Sequence, residues 1–393
     1  MKRTAETQRS WTGLALWSRG FRPFFLGAAL WAVVAIAIWL PFFTGEIGIP
    51  TAFSAVDWHV HEMIYGYGAA VIAGFLLTAI PNWTGRLPVA GWPLVLLSGL
   101  WALGRVAVFL SAEIGWAPAA LVDTAFLLVF AAVAAREVIA GRNYRNVKVI
   151  VLILMLSVAN AGFHIEAATM GAASISARAG LAVIVFLILL IGGRVVPSFT
   201  HNWLARKELA PRPVPLGKPD VAVMSLSALA LILWIADPAR NLTGVLLLAA
   251  GAANLWRMSR WRGWATRSDG LVLVLHAGFF LAGLGFFFAS GHAFAPDIMS
   301  PAAAAHVWAI GTIGAMTLAM MTRATLGHTG QALTASRATQ FIYLAVIAAM
   351  LARIAAEFFP TVMMPLMCGA VVAWIAAFAV FVVVYGRLLA RPA

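Results

Sequence analysis

Asp57-Trp58-His59-Val60-His61-Glu62-Met63 opens an apolar run that continues to Ile80, about the 20 residues needed to cross a bilayer's hydrocarbon. Ionisable groups at the mouth of a spanning segment are functional suspects by default, because holding them there costs free energy. A helix advances about 100° per residue, so His59 and His61 lie about 200° apart and face opposite sides. One helix can therefore serve two separate centres.

Working outward, the chain offers about twelve such runs, near residues 22–43, 59–80, 91–111, 116–140, 147–170, 177–197, 219–236, 241–257, 270–290, 302–322, 339–358 and 361–386. Turn chemistry separates them, as at Pro81-Asn82, Gly91-Trp92-Pro93, Asp237-Pro238 and Pro360. The 393 residues are 63% hydrophobic and only 10% charged, and the mean hydropathy is +0.93. Soluble domains carry about a quarter charged residues, so the fold class expected is an all-α polytopic membrane protein of about twelve transmembrane helices. Residues 1–21 read as a cytoplasmic, interfacial arm and 22–393 as a single twelve-helix membrane domain. In that arm Trp11 and Trp17 accompany Arg19, a mixture suited to the inner leaflet.

The formal charge of +13 has a topological explanation. With both termini cytoplasmic, the basic loop residues fall inside, and only Arg178 and Arg240 lie in outer loops, as the positive-inside rule demands. The basic residues stand singly between apolar runs rather than in a patch, so nucleic acid is not an expected partner. The lipid bilayer is. The apolar stretch of the first run starts near Phe24 after five basic residues and lacks an A-x-A-like cleavage site, so it reads as a retained helix. A lone cysteine, Cys368, excludes disulfide frameworks, thiolate zinc sites and covalently attached haem. Any metal must use histidine, methionine, carboxylate or backbone.

Sorted by depth, five of the eight histidines converge near the outer third: His59, His61, His164, His292 and His306. His201 and His328 sit at the inner face, and His276 lies about six residues inside its helix. Imidazole ligates iron, copper and zinc, which makes His59, His61, His164 and His306 candidate metal ligands as a group, with His276 a further candidate. A single membrane histidine also serves as a hydrogen-bonded packing residue. Glu62 and Glu166 flank the cluster as candidate proton carriers or supporting partners of the ligands.

Two arginines fall inside apolar runs, Arg105 and Arg353. A buried guanidinium needs a partner. Its fork matches a carboxylate, including the propionate of a haem. Arg105 and Asp123 stand at one level across a tight turn and read as a structural pair. Arg353 has Glu357 at i,i+4, and the choice between that pair and a cofactor contact stays open. Met316, Met320 and Met321 could mark a Cu(I) path, but at helical spacing they read as packing. A weak echo links the run from His59 to Thr84-Gly85 with the run from His306 to Thr329-Gly330.

Several strings together resemble one family. They are Gly20-Phe21-Arg22-Pro23-Phe24-Phe25, Trp58-His59-Val60-His61-Glu62-Met63 with Gly66, Ala73 to Ala79 with Asn82-Trp83-Thr84-Gly85, Gly193 to Thr200, and Met321 to Gly330. The chain thereby resembles the NnrS family of bacterial membrane proteins over nearly its whole length. The resemblance implies a multi-pass protein of the bacterial cytoplasmic membrane that carries haem b and copper. Its implied partners are nitric oxide or nitrosyl species, in the context of nitrosative stress. An analogy to haem-copper oxidases and nitric oxide reductases rests on fold level alone. On this reading His59 and His61 point to different centres, His164 and His306 add ligands, and Arg353 helps hold the cofactor. Nitric oxide reduction would need an external electron donor, since no dinucleotide motif is present. The alternatives are a permease for a metal, haem or iron–nitrosyl species, and a regulatory protein that binds nitric oxide without turnover.

Overall fold

The computed structural model describes residues 11–392, which leaves Lys2, Arg3 and Arg9 of the expected arm outside the described residues. Among those described there are helices and no strands. Twelve long helices follow in chain order: α1 (Phe21–Phe43), α2 (Ala55–Thr84), α3 (Trp92–Phe109), α4 (Trp116–Ala140), α5 (Val147–Met170), α6 (Ser174–Arg206), α7 (Lys218–Ala236), α8 (Asn241–Ser259), α9 (Gly270–Phe294), α10 (Pro301–His328), α11 (Arg337–Phe358) and α12 (Met363–Ala390). Eleven are long and apolar enough to cross a membrane, and α8 is the exception. It buries Thr243, Asn254 and Arg257, which lower its hydropathy, yet it packs along both α7 and α9.

Capping chemistry sets several starts. Ser54 accepts the Asp57 amide to open α2, Asp269 accepts the Leu271 and Val272 amides to open α9, and Ser336 accepts the Thr339 amide to open α11. Gly85 and Gly171 close α2 and α5 in the left-handed conformation, with φ of 69° and 80°. Pro197 lies inside α6, so the helix runs well past residue 197, where the hydropathy falls. Membrane helices tolerate an internal proline more readily than soluble ones.

The chain divides into two compact units. Unit 1 holds residues 1–180, 324–331 and 378–393, and unit 2 holds 181–323 and 332–377. In unit 1, α1 packs on α2, α3 on α4, and α4 on both α2 and α5. Its core buries Phe21, Phe24, Phe25, Trp58, Phe126 and Phe163 completely or nearly so. In unit 2, α8 packs on α7 and α9, and α10 on α9 and α11, around Trp261, Trp308 and Phe286. Large apolar side chains such as Leu121, Val158 and Leu344 face outward, as lipid-facing helices require.

The strings shared with the family have structural work to do. Gly20 lets Leu77 approach, and Arg22, almost fully buried, donates from Nη1 to the carbonyls of Leu388, Leu389 and Arg391. The start of the first helix thereby holds the end of the last. Gly193 leaves room for Arg257, which reaches Asp220 at 2.9 Å and the Leu189 carbonyl at 3.2 Å. The described part of the arm before α1 is docked: the Trp17 indole donates to Ser98 at 3.1 Å, and its carbonyl accepts from the Gly91 amide.

Candidate metal centre

α2 is not a uniform helix. After His61 it widens into a π-helical segment, Glu62–Gly68, before resuming as α-helix at Ala69. Such segments are rare and concentrate at functional sites. Here the widening frees the Gly66 carbonyl to accept from the Trp101 indole at 2.9 Å. It also presents His61 and Glu62 inward, both fully buried.

His61 Nδ1 faces Glu62 Oε1 at 3.0 Å, and Nε2 faces Asn160 Oδ1 at 3.0 Å and Asp123 Oδ2 at 3.1 Å. His164 Nε2 lies 3.2 Å from the same Asp123 oxygen. Asn160 donates its amide to that oxygen at 2.7 Å, which fixes the amide orientation. On the other side of the cluster Arg105 Nη1 reaches both Glu62 oxygens, at 2.8 and 2.7 Å, and Nη2 donates to Asp123 Oδ1. Trp31 donates its indole N–H to Glu62 Oε2 at 2.7 Å. Phe53, Tyr65 and Phe163 close aromatic walls around the two histidine rings.

Two features of this arrangement call for one more positive charge. Two carboxylates meet one guanidinium, so the cluster is short by one cation in a place where unbalanced charge is costly. Both ring nitrogens of His61 also face acceptors, whereas a neutral imidazole carries a single N–H. A second ring proton or a bound metal ion meets both requirements. His61, Asp123 and His164 each offer a ligand atom, all within 4.8 Å of one another. Bonds of about 2.0–2.2 Å put tetrahedral donors about 3.4 Å apart, so a metal fits with little rearrangement. With Nδ1–H donated to Glu62, His61 would ligate through Nε2 and be oriented by a carboxylate behind it. His164 Nδ1 is buried with no hydrogen-bond partner, a further unused imidazole donor atom.

Of the residues singled out from sequence, His61, Glu62 and His164 therefore come together. His59 turns the other way, as its spacing implies, and stacks on Trp39 of α1 with ring centroids 4.3 Å apart. Glu166 stands apart and accepts the amides of Ile175 and Ser176 at 2.8 Å, capping the start of α6. His306, Arg353 and His276 belong to unit 2. His306 Nδ1 donates to the Ala302 carbonyl at 2.7 Å, and Arg353 pairs with Glu357. His276 Nε2 donates to Thr200 Oγ1 at 2.8 Å, since the threonine's own proton goes to the Val196 carbonyl. His292 holds the Met299 carbonyl, and His328 meets Arg19 and Phe21.

Sequence reasoning paired Arg105 with Asp123 correctly but did not single out Asp123 as a candidate ligand, and passed over Asn160 altogether. The signal was present. Asp123 is a carboxylate in the middle of an apolar stretch, and Asn160 stands at i,i+4 from His164, on the same face of α5.

Fold and site together define a polytopic, all-α membrane protein with a buried histidine–carboxylate cluster between its first five helices. The family model for the NnrS protein matches residues 15–393, and the chain belongs to the NnrS family. Membership fits a membrane protein of the nitric oxide response, in a family associated with metal binding. No curated protein matches the chain.

Proposed function

We propose that this protein binds haem and copper in the bacterial cytoplasmic membrane and handles nitric oxide, as a reductase or as a scavenger of nitric oxide and nitrosyl–metal species. The observation that carries this reading is the His61–Asp123–His164 donor set in a chain of the NnrS family. Two imidazoles and a carboxylate suit a borderline transition ion such as Cu(II), and they leave coordination positions open. His59, His306 and His276 are the remaining candidates for haem ligation, and Arg353 is the candidate for a propionate contact, in exchange for its pairing with Glu357.

A metal held there would supply a site for nitric oxide. The chain's own residues would do the rest. Glu62 orients His61 through Nδ1, Arg105 holds Glu62 and Asp123 in place, and the aromatic wall of Phe53, Tyr65 and Phe163 excludes water. Glu62 is the proton carrier nearest the cluster. Glu166 would deliver protons only after releasing its two amides. Reduction would draw electrons from an external donor.

The test is the reduced-minus-oxidised optical spectrum of detergent-purified protein, with copper and haem content, before and after nitric oxide. A haem b spectrum that shifts with nitric oxide, beside stoichiometric copper, is expected. Folded protein that stays colourless and metal-free after expression with ample haem and copper would sink the reading.

A second reading, a permease for a metal, haem or iron–nitrosyl species, draws on the π-helical interruptions of α2 and α10, since transporters place substrate sites at broken helices. Counterflow in reconstituted vesicles separates it from the first.

A further inference from the structure

A cavity of about 630 Å³ opens in unit 2 where the end of α6 meets the starts of α9 and α11, on the face read as cytoplasmic. Small-molecule sites occupy about 300–1,000 Å³, so this space is of ligand size. None of the residues of the histidine cluster lines it.

Three helix ends build the wall. α6 stays helical past Pro197 to Arg206, which carries Trp203, Arg206 and the following Lys207 to the cavity. Trp203, almost fully buried, packs with Leu204 and Val272 and so fixes the end of α6 on the first turn of α9. At Gly270 a Cβ would stand 3.0 Å from that of Ala335, and the missing side chain lets the start of α9 approach the segment that leads into α11. Ser268, Thr334 and Gln340 add a polar rim.

Charge at this wall does not balance. Arg206 and Lys207 make no ion pair among the described residues, and Asp269 is the one carboxylate among the residues that line the cavity. Its Oδ1 is committed to the Leu271 and Val272 amides at 2.9 and 3.2 Å, as the cap of α9. A third cation lies one turn further in. Phe199, at i,i+4 from Trp203 on the same face of α6, carries the Arg323 guanidinium over its ring, 4.0 Å from the centroid. Arg323 is only 9% exposed, and among the described residues no carboxylate pairs with it. A guanidinium at that depth without a counter-ion is costly, and an anion in the cavity lowers the cost. The Ser268 and Thr334 hydroxyls and the Gly270 amide, which make no hydrogen bond among the described residues, supply neutral donors beside the cations.

We propose that this cavity binds a phosphate ester, its phosphoryl oxygens held by Arg206 and Lys207 and its organic part lying against Trp203 and Leu333. A phosphoryl group offers several charged acceptors to match these several donors, and the volume exceeds what a bare ion fills. Two sources share this chemistry: the headgroup of an anionic phospholipid, and a soluble phosphate ester. The inference rests on unit 2 alone and is independent of the metal reading.

Dihexanoyl phosphatidylglycerol and glycerol 3-phosphate, titrated separately by calorimetry into the full-length protein in detergent, test it, with dihexanoyl phosphatidylcholine as the zwitterionic comparison. Three variants accompany the wild type. Arg206→Gln with Lys207→Gln removes both cations, and Thr334→Trp fills the cavity while keeping its charge. Arg142→Gln with Arg145→Gln removes two cations from a loop of unit 1 that is also read as cytoplasmic. A lipid site predicts saturable binding of the phosphatidylglycerol in preference to both other probes, and a soluble-ester site predicts tighter binding of glycerol 3-phosphate. In either case the first two variants weaken binding about tenfold or more, the loss expected for charge-assisted hydrogen bonds, and the unit 1 variant stays near wild type. Absence of saturable binding of both phosphate esters to the wild type overturns the proposal. So does an equal loss in the unit 1 variant, which would assign binding to the general charge of the loops. Wild-type affinity in folded Thr334→Trp protein would place the ligand outside the cavity and overturn it too, even if the Arg206 and Lys207 variant failed to fold.

Discussion

Arg105 Nη1 lies 2.8 and 2.7 Å from the two oxygens of Glu62, so one guanidinium nitrogen serves a whole carboxylate while Nη2 of the same side chain serves Asp123. The arginine thereby joins α2 to α4 through α3, at the base of the histidine cluster. Breaking a buried pair by removing one partner costs about 3–5 kcal/mol. Arg105→Gln is expected to lose that much stability, and Arg105→Lys a substantial part of it, because a lysine supplies the charge without the fork. Thermal unfolding in detergent measures both. A lysine variant as stable as the wild type would show that charge alone suffices.

Gly66 carries no side chain because a Cβ there would stand 2.7 Å from Trp31 Nε1 and 2.8 Å from both Arg105 Nη1 and Glu62 Oε2. All three belong to the network, so none can withdraw without losing a hydrogen bond. Gly66→Ala is expected to cost about 1–3 kcal/mol and to change the Trp31 environment, read by tryptophan fluorescence in a background where the other indoles serve as reference. An unchanged melting temperature would mean that the π segment can absorb a methyl group.

Arg22 gives its Nη1 to three carbonyls at the end of α12. Those carbonyls have no partner within the helix, and hydrogen bonds from a charged donor contribute about 1.5–3 kcal/mol. Arg22→Ala is expected to fray α12, so that trypsin cuts after Arg387 faster than in the wild type by limited proteolysis. Equal cutting rates would assign the clamp no role in holding the terminus.

His59 and His61 should behave as members of different sites. His61→Ala removes one of three donors and leaves Asp123 and Glu62 facing a void, so metal at this cluster should fall at least tenfold. His59→Ala removes a ring stacked on Trp39 and should leave that metal in place. Metal analysis of the two variants decides it, and equal losses would mean that both rings serve one centre.

Most of the architecture was legible because length and hydropathy of the runs are set by the bilayer itself. The runs expected at 116–140 and 147–170 coincide with α4 and α5, and the others differ by a few residues at their ends. α6 is the largest departure: Arg194, Ser198, Thr200 and His201 end the apolar signal, while the backbone stays helical to Arg206. The π segments were not legible, since the extra residue that widens a helix leaves no mark on composition. The site was legible in half. Spacing separated His59 from His61 and set Arg105 beside Asp123, both properties of a single helix or a single turn. The convergence of Asp123, Asn160 and His164 on His61 depends on how α4 and α5 pack against α2, which no local pattern encodes.

X-ray absorption at the edge of the bound metal, on wild type beside His61→Ala, Asp123→Asn and His164→Ala, tests the central claim most directly. The account predicts imidazole nitrogen and carboxylate oxygen neighbours at about 2.0–2.2 Å in the wild type, with metal lost from each variant. A metal whose stoichiometry and spectrum are unchanged in all three variants would place it elsewhere and contradict the account.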